Sequence, residues 1–106
     1  MSNLLDYNWF VKNIIPLLKD KSLSVLLRNF KDGDFGDLNQ IVVSSGISEG
    51  IVDFWTDGVI SVELYDMVKD NPIFETKMFF TEERVNALPI LKDFIKYFLP
   101  DFKFED

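Results

Sequence analysis

Apolar residues recur at three- and four-residue steps along the first part of the chain, at Tyr7, Phe10, Val11, Ile14 and Leu18. That period predicts an amphipathic helix over residues 3–15. Asn3 is placed to cap it, and Asp6 then falls in the first turn, where the helix dipole favours an anion. Pro16 lacks an N–H, so it kinks or ends this helix unless a second one begins there. The next stretch, SLSVLLRNF, holds two patterns at once. Leu23, Leu26, Leu27 and Phe30 fit a helical face, whereas Leu23, Val25 and Leu27 alternate like a strand. We read it as a short helix over residues 22–30 capped by Ser22, followed by a loop, KDGDFGDLNQ.

Strand-like patterning takes over near residue 40. QIVV is a short β-rich run, and SSGISEG punctuates it. Next comes IVDFWTDGVISVELYDMVKD, two apolar-rich runs flanking Asp57-Gly58, the pair preferred in two-residue type I′ hairpin loops. With that loop, Thr56 pairs with Val59, Trp55 with Ile60, Phe54 with Ser61, Asp53 with Val62 and Val52 with Glu63. Opposed residues share a face. One face then holds Ile51, Asp53, Trp55, Ile60, Val62 and Leu64, the better core candidate. Phe54, Val59 and Tyr65 are left partly exposed on the other, and Asp53 is an anomaly in an apolar row. KDNP makes the next turn and IFETKMFF the next strand, with Phe74, Met78 and Phe80 inward and Glu75 and Lys77 outward. Thr81 is positioned to cap a last helix with an apolar stripe of Val85, Leu88, Leu91, Ile95 and Phe98, broken or restarted near Leu88 by Pro89. The expected fold is α+β. An antiparallel meander of about four strands, residues 40–80, packs against N-terminal and C-terminal helices in a single domain, residues 1–106.

Composition narrows the function. The chain has no Cys and no His, which removes disulfides, Cys/His zinc sites and any Ser-His-Asp triad. No basic leader precedes the first apolar residues and no apolar run approaches the length of a membrane span, so a cytoplasmic location is expected. The net charge of −7 disfavours direct contact with nucleic acid or anionic membrane and favours a basic partner. The charge is uneven. Between residues 49 and 76 seven acids, Glu49, Asp53, Asp57, Glu63, Asp66, Asp70 and Glu75, are opposed by Lys69 alone. Phe54 and Tyr65 lie among them. Aromatic anchors ringed by charge suit protein binding, and all nine residues are candidate partner contacts.

Catalytic alternatives are weak. Asp32 and Asp34 begin like a calcium loop, but Gly36 stands where a third ligand belongs and Val43 where a bidentate Glu should be. The glycines match neither a Walker loop nor a dinucleotide fingerprint. Asp53 with Glu63, or Asp66 with Glu75, could meet across strands, yet nothing supplies a sugar site. No cofactor or metal, and no enzyme activity, is expected.

In size, charge and composition, and in the acidic segment EGIVDFWTDGVISVELYDMVKDNPIFE, the chain resembles the immunity proteins that bacteria make against their own polymorphic or contact-dependent toxins. That resemblance implies binding rather than catalysis. The implied partner is a basic toxin domain, typically a nuclease, whose active site or substrate groove the immunity protein covers with carboxylates in place of phosphates. Two other readings are a nucleic-acid mimic that blocks a DNA-binding protein, and a regulatory domain that dimerises through a sheet edge.

Overall fold

The computed structural model describes residues 5–104. Two short N-terminal helices, α1 (Tyr7–Asn13) and α2 (Ile15–Asp20), lead into five strands. These are β1 (Ser24–Gly33), β2 (Gly36–Ser44), β3 (Ser48–Trp55), β4 (Ile60–Asp66) and β5 (Asn71–Phe79). A 3₁₀ helix (Thr81–Ala87) and α3 (Leu88–Phe98) follow. The strands form one antiparallel meander in the order β1-β2-β3-β4-β5. The α+β class and the meander hold, with five strands rather than about four.

Local chemistry explains the helix boundaries. The side chain of Asp6 accepts the Asn8 N–H at 2.9 Å, so Asp6 is the N-cap of α1 rather than a first-turn residue. The expected cap, Asn3, lies outside the described residues. Pro16 does start a second helix, sitting in the first turn of α2 where its missing N–H costs nothing. Ser22 caps no following helix; it terminates α2. Its φ is +63°, its N–H donates to Lys19 O and the next N–H, of Leu23, donates to Leu18 O, the two bonds of a Schellman ending.

The expected helix over residues 22–30 is strand β1. Seven consecutive residues, Ser24–Phe30, pair with β2, and this ladder outweighs a helical pattern that would have left the edge of β2 unpaired. The predicted loop at 31–40 shrinks to the tip Asp34-Phe35, with one extra residue bulged on the β1 side between Phe30 and Gly33.

The loop between β3 and β4 decides which side chains face inward. It has three residues, not two. The Gly58 N–H donates to Trp55 O and the Trp55 N–H donates to Val59 O, each at 2.9 Å, with Gly58 at φ +99°. This is a turn closed by a left-handed glycine, the commonest three-residue hairpin. Phe54 therefore pairs with Ile60, Asp53 with Ser61 and Val52 with Val62. A one-residue slip exchanges faces. Val52 and Phe54 enter the core, Phe54 being only 4% exposed, and Ile51, Asp53 and Trp55 move to the opposite face. The anomaly at Asp53 disappears.

β5 departs from expectation in the same way. Phe74 lies against the core as expected, but register breaks bring Phe79 there as well, with Lys77 opposite Val62 on the helix side, while Met78 and Phe80 are exposed. Thr81 is not a helix cap. Its hydroxyl donates to Asp57 O at 2.6 Å and clips the 3₁₀ helix to the β3–β4 loop. Pro89 restarts the helix as read from the sequence, at the beginning of α3. Val85 is exposed rather than part of the stripe.

All helices lie on one side. Phe10, Ile14 and Leu18 from α1 and α2, and Leu91, Phe94, Ile95 and Phe98 from α3, pack on Ile41, Val43, Val52, Phe54, Ile60, Val62 and Leu64 of the sheet. The tail folds back, with Phe102 and Phe104 against the core and Lys92 Nζ 5.3 Å from the Phe104 ring centroid. Gly50 makes the close approach of α3 possible. A Cβ there would meet Phe94 Cε2 at 2.4 Å. Gly50→Ala should therefore lower stability by about 1–3 kcal/mol through overpacking, seen as a lower denaturant midpoint.

Candidate protein-binding surface

The second face of the sheet has no helix over it among the described residues, and the register lays its side chains out in rows. The central row crosses the sheet as Arg28, Gln40, Asp53, Ser61 and Met78. On one side of it run Leu26, Val42, Ile51 and Glu63, and beyond them Ser24, Ser44, Glu49 and Tyr65. On the other side run Phe30, Leu38 and Trp55. Leu26 and Phe30 are each 47% exposed and Met78 45%. Past Trp55 the row continues into an aromatic group in which Phe35 packs edge-on against Trp55 and Phe80, with centroids 5.7 Å apart in each pair.

That end of the sheet is rigidly tied. The Thr56 N–H donates to Asp37 O and the Asp37 N–H donates to Thr56 Oγ1, each at 2.9 Å, joining the start of β2 to the β3–β4 loop. Gly36 lies at φ +88°, and a Cβ there would come within 2.2 Å of Thr56 Oγ1, so this junction accepts only glycine. Asp37 also receives the Asp32 N–H and the Lys31 ammonium, and these hold its carboxyl below the usual carboxylate value.

Asp53 occupies the middle of the uncovered face. Its Oδ1 accepts Gln40 Nε2 and its Oδ2 accepts Ser61 Oγ, each at 3.0 Å. Among the described residues the only ion pair is Lys31–Asp37, so no cation sits beside Asp53. Burial pushes the Asp53 carboxyl above the ordinary value, and the two hydrogen bonds oppose that rise. A carboxyl raised in the native state binds its proton more tightly there than in the unfolded chain. Its contribution to stability is therefore greatest below the ordinary Asp value and is lost as pH rises through the raised one. Asp53→Asn removes the charge and keeps the shape. It should melt above the wild type at about pH 7, and the gap should close by about pH 3.

The nine residues singled out from the sequence do not form one patch. Glu49, Asp53, Glu63 and Tyr65 share the uncovered face. Asp57 lies in the β3–β4 loop at one end of the sheet, and Asp66 and Asp70 flank the β4–β5 turn at the other. Asp66 is spent on that turn, accepting the Val68 and Lys69 N–H groups at 2.9 Å. Asp70 accepts the Tyr65 hydroxyl at 2.5 Å, which raises the Tyr65 pKa. Glu75 is exposed on the edge strand β5. Phe54 is core, so it cannot serve as the exposed anchor expected of it; Trp55, its neighbour, lies half-buried on the uncovered face.

Gln40, Ser61, Val42, Ile51, Phe35 and Phe80 were not foreseen as site residues. A three-residue reading of Thr56-Asp57-Gly58 would have revealed Ser61 opposite Asp53. Among the described residues no cluster of three or more carboxylates is placed to hold a metal ion, and no helix is long and apolar enough to cross a membrane. Comparison with known proteins found no matching family model, curated protein or solved structure.

Proposed function

We propose that the chain is a non-catalytic binding domain that recognises a basic protein partner through its uncovered sheet face and neutralises that partner by covering its working surface. The observation that carries this reading is Asp53, a half-buried carboxylate held by two neutral donors, without a cation, in the middle of apolar rows. Such a group is desolvated in advance and kept in one orientation. An arginine or lysine from a partner would complete it, and pairing of this kind can yield several kcal/mol at a buried interface. The surrounding field has the matching sign. Glu49, Asp53 and Glu63 are opposed on this face by Arg28, a net of −2, within a chain of net −7. Trp55, Phe35, Phe80 and Phe30 supply aromatic anchors beside the charge.

A neutralising role against a toxin domain, most simply a nuclease whose phosphate-binding groove is basic, fits this surface and the resemblance in profile to bacterial immunity proteins. The test is co-expression with the C-terminal domain of the protein encoded immediately upstream. Wild type should restore growth where that domain alone arrests it, and Asp53→Lys should fail to do so while keeping a native amide spectrum. Growth arrest that wild type does not relieve, or that Asp53→Lys relieves equally well, refutes the reading.

A further inference from the structure

The two edges of the sheet are not equivalent. β5 carries Pro72 and two breaks in register against β4, at Val62/Leu64 and Leu64/Tyr65. Proline and bulges are devices that keep another strand from pairing with an edge. β1 has none of them over Ser24–Phe30, seven residues in unbroken register with β2 and free of proline and glycine. Among the described residues no strand lies beside its outer backbone groups. Its side chains are open on both faces as well. Leu26 and Phe30 are exposed on the uncovered face, and Leu27, on the helix face, is 43% exposed.

The charge at this edge is also distinctive. Residues 19–30 hold Lys19, Lys21 and Arg28 against Asp20 alone, Lys31 beyond them being paired with Asp37, whereas residues 49–76 hold seven acids against Lys69. Strand order puts β1 at the far edge from β5, and α2 packs beside β1 and runs into it. An acidic molecule thus keeps a positive, apolar, unguarded strand at one margin. A second copy of the chain would bring the same cations to the same edge. An extended segment with acidic and apolar side chains would match it.

We propose that β1 is a strand-addition site for an extended acidic and apolar peptide segment of a partner protein. The segment would form a sixth strand. Its main chain would bond to the outer groups of β1, its apolar side chains would lie against Leu26 and Phe30 on one face and Leu27 on the other, and its carboxylates would reach Arg28 and Lys21. This site borders the acidic face, sharing Leu26, Arg28 and Phe30 with its margin, but it uses the outer backbone of β1 and selects the opposite charge, so its test does not depend on that face binding a basic partner.

The probes are two end-blocked heptapeptides, Glu-Val-Val-Glu-Thr-Val-Glu, which carries valine on both faces of an extended strand, and its counterpart with lysine in place of glutamate, titrated against the isotope-labelled chain and followed by amide NMR. The acidic peptide should shift the amides of residues 24–30 in a saturable way and bind at least about tenfold more tightly than the lysine peptide. Lys21→Glu and Arg28→Glu together should erase that preference and leave the other amides in place. No response, an equal response to both peptides, or shifts centred away from β1 would overturn the proposal. So would a concentration-dependent dimer in sedimentation that Leu27→Lys disperses, because the edge would then belong to a second copy.

Discussion

Asp53→Lys should abolish partner binding, a loss of about 3–5 kcal/mol or more, while the protein still folds. The size follows from where Asp53 sits. A charge at the rim of an interface is screened and contributes little, whereas a desolvated one, once its partner cation arrives, loses the whole pairing when its sign is reversed. The fold should tolerate the change. Position 53 lies on the uncovered face, where a lysine can extend its ammonium to solvent along Ile51 and Trp55. Asp53→Asn sharpens the test, because it should weaken binding yet raise stability at neutral pH. A residue kept for folding alone would not behave so; a residue whose charge is held against its own solvation for the sake of a ligand would. Calorimetric titration of the partner domain into the wild type and both variants measures the first effect, and thermal melts measure the second.

Phe94→Ala should cost about 3–5 kcal/mol, a large part of the 5–15 kcal/mol typical of a domain. Phe94 is 1% exposed at the centre of the helix–sheet interface. Its ring stands over Gly50 and packs at 5.3 Å against Phe98. No neighbour can collapse into the space it leaves, because Gly50 has no side chain to offer and β3 is fixed between β2 and β4. The variant should unfold at a clearly lower denaturant concentration. Trp55→Ala, on the uncovered face, should lower stability far less and binding far more. The contrast between the two aromatic positions separates core from recognition surface.

Much of this arrangement was legible because its causes are local. Pro16 and Pro89 restart helices wherever they fall in a helical pattern, since they lack an N–H. The strand-like runs from residue 40 onward announce β2 to β5. Two features depended on pairing partners that local pattern does not specify. The Leu26-Leu27 pair suits helix or strand equally, and only the ladder with β2 settles it. Gly58 is left-handed, which a glycine satisfies in a two-residue loop and a three-residue loop alike. The choice between them shifts register by one and turns over every side chain of β3 relative to β4. Glu63 and Tyr65 were placed correctly on the face away from the helices, whereas Asp53 and Trp55 were assigned to the core and Phe54 to the surface. Gln40 and Ser61 could not be joined to Asp53 until the register of three strands was known.

Amide NMR of the labelled chain, titrated with the partner domain, maps the recognition surface residue by residue. Shifts should centre on Gln40, Asp53, Trp55, Ser61 and Glu63 and fade toward α2 and α3. A map centred instead on the helices, with those five amides unmoved, would mean that the uncovered sheet face is not where this protein binds.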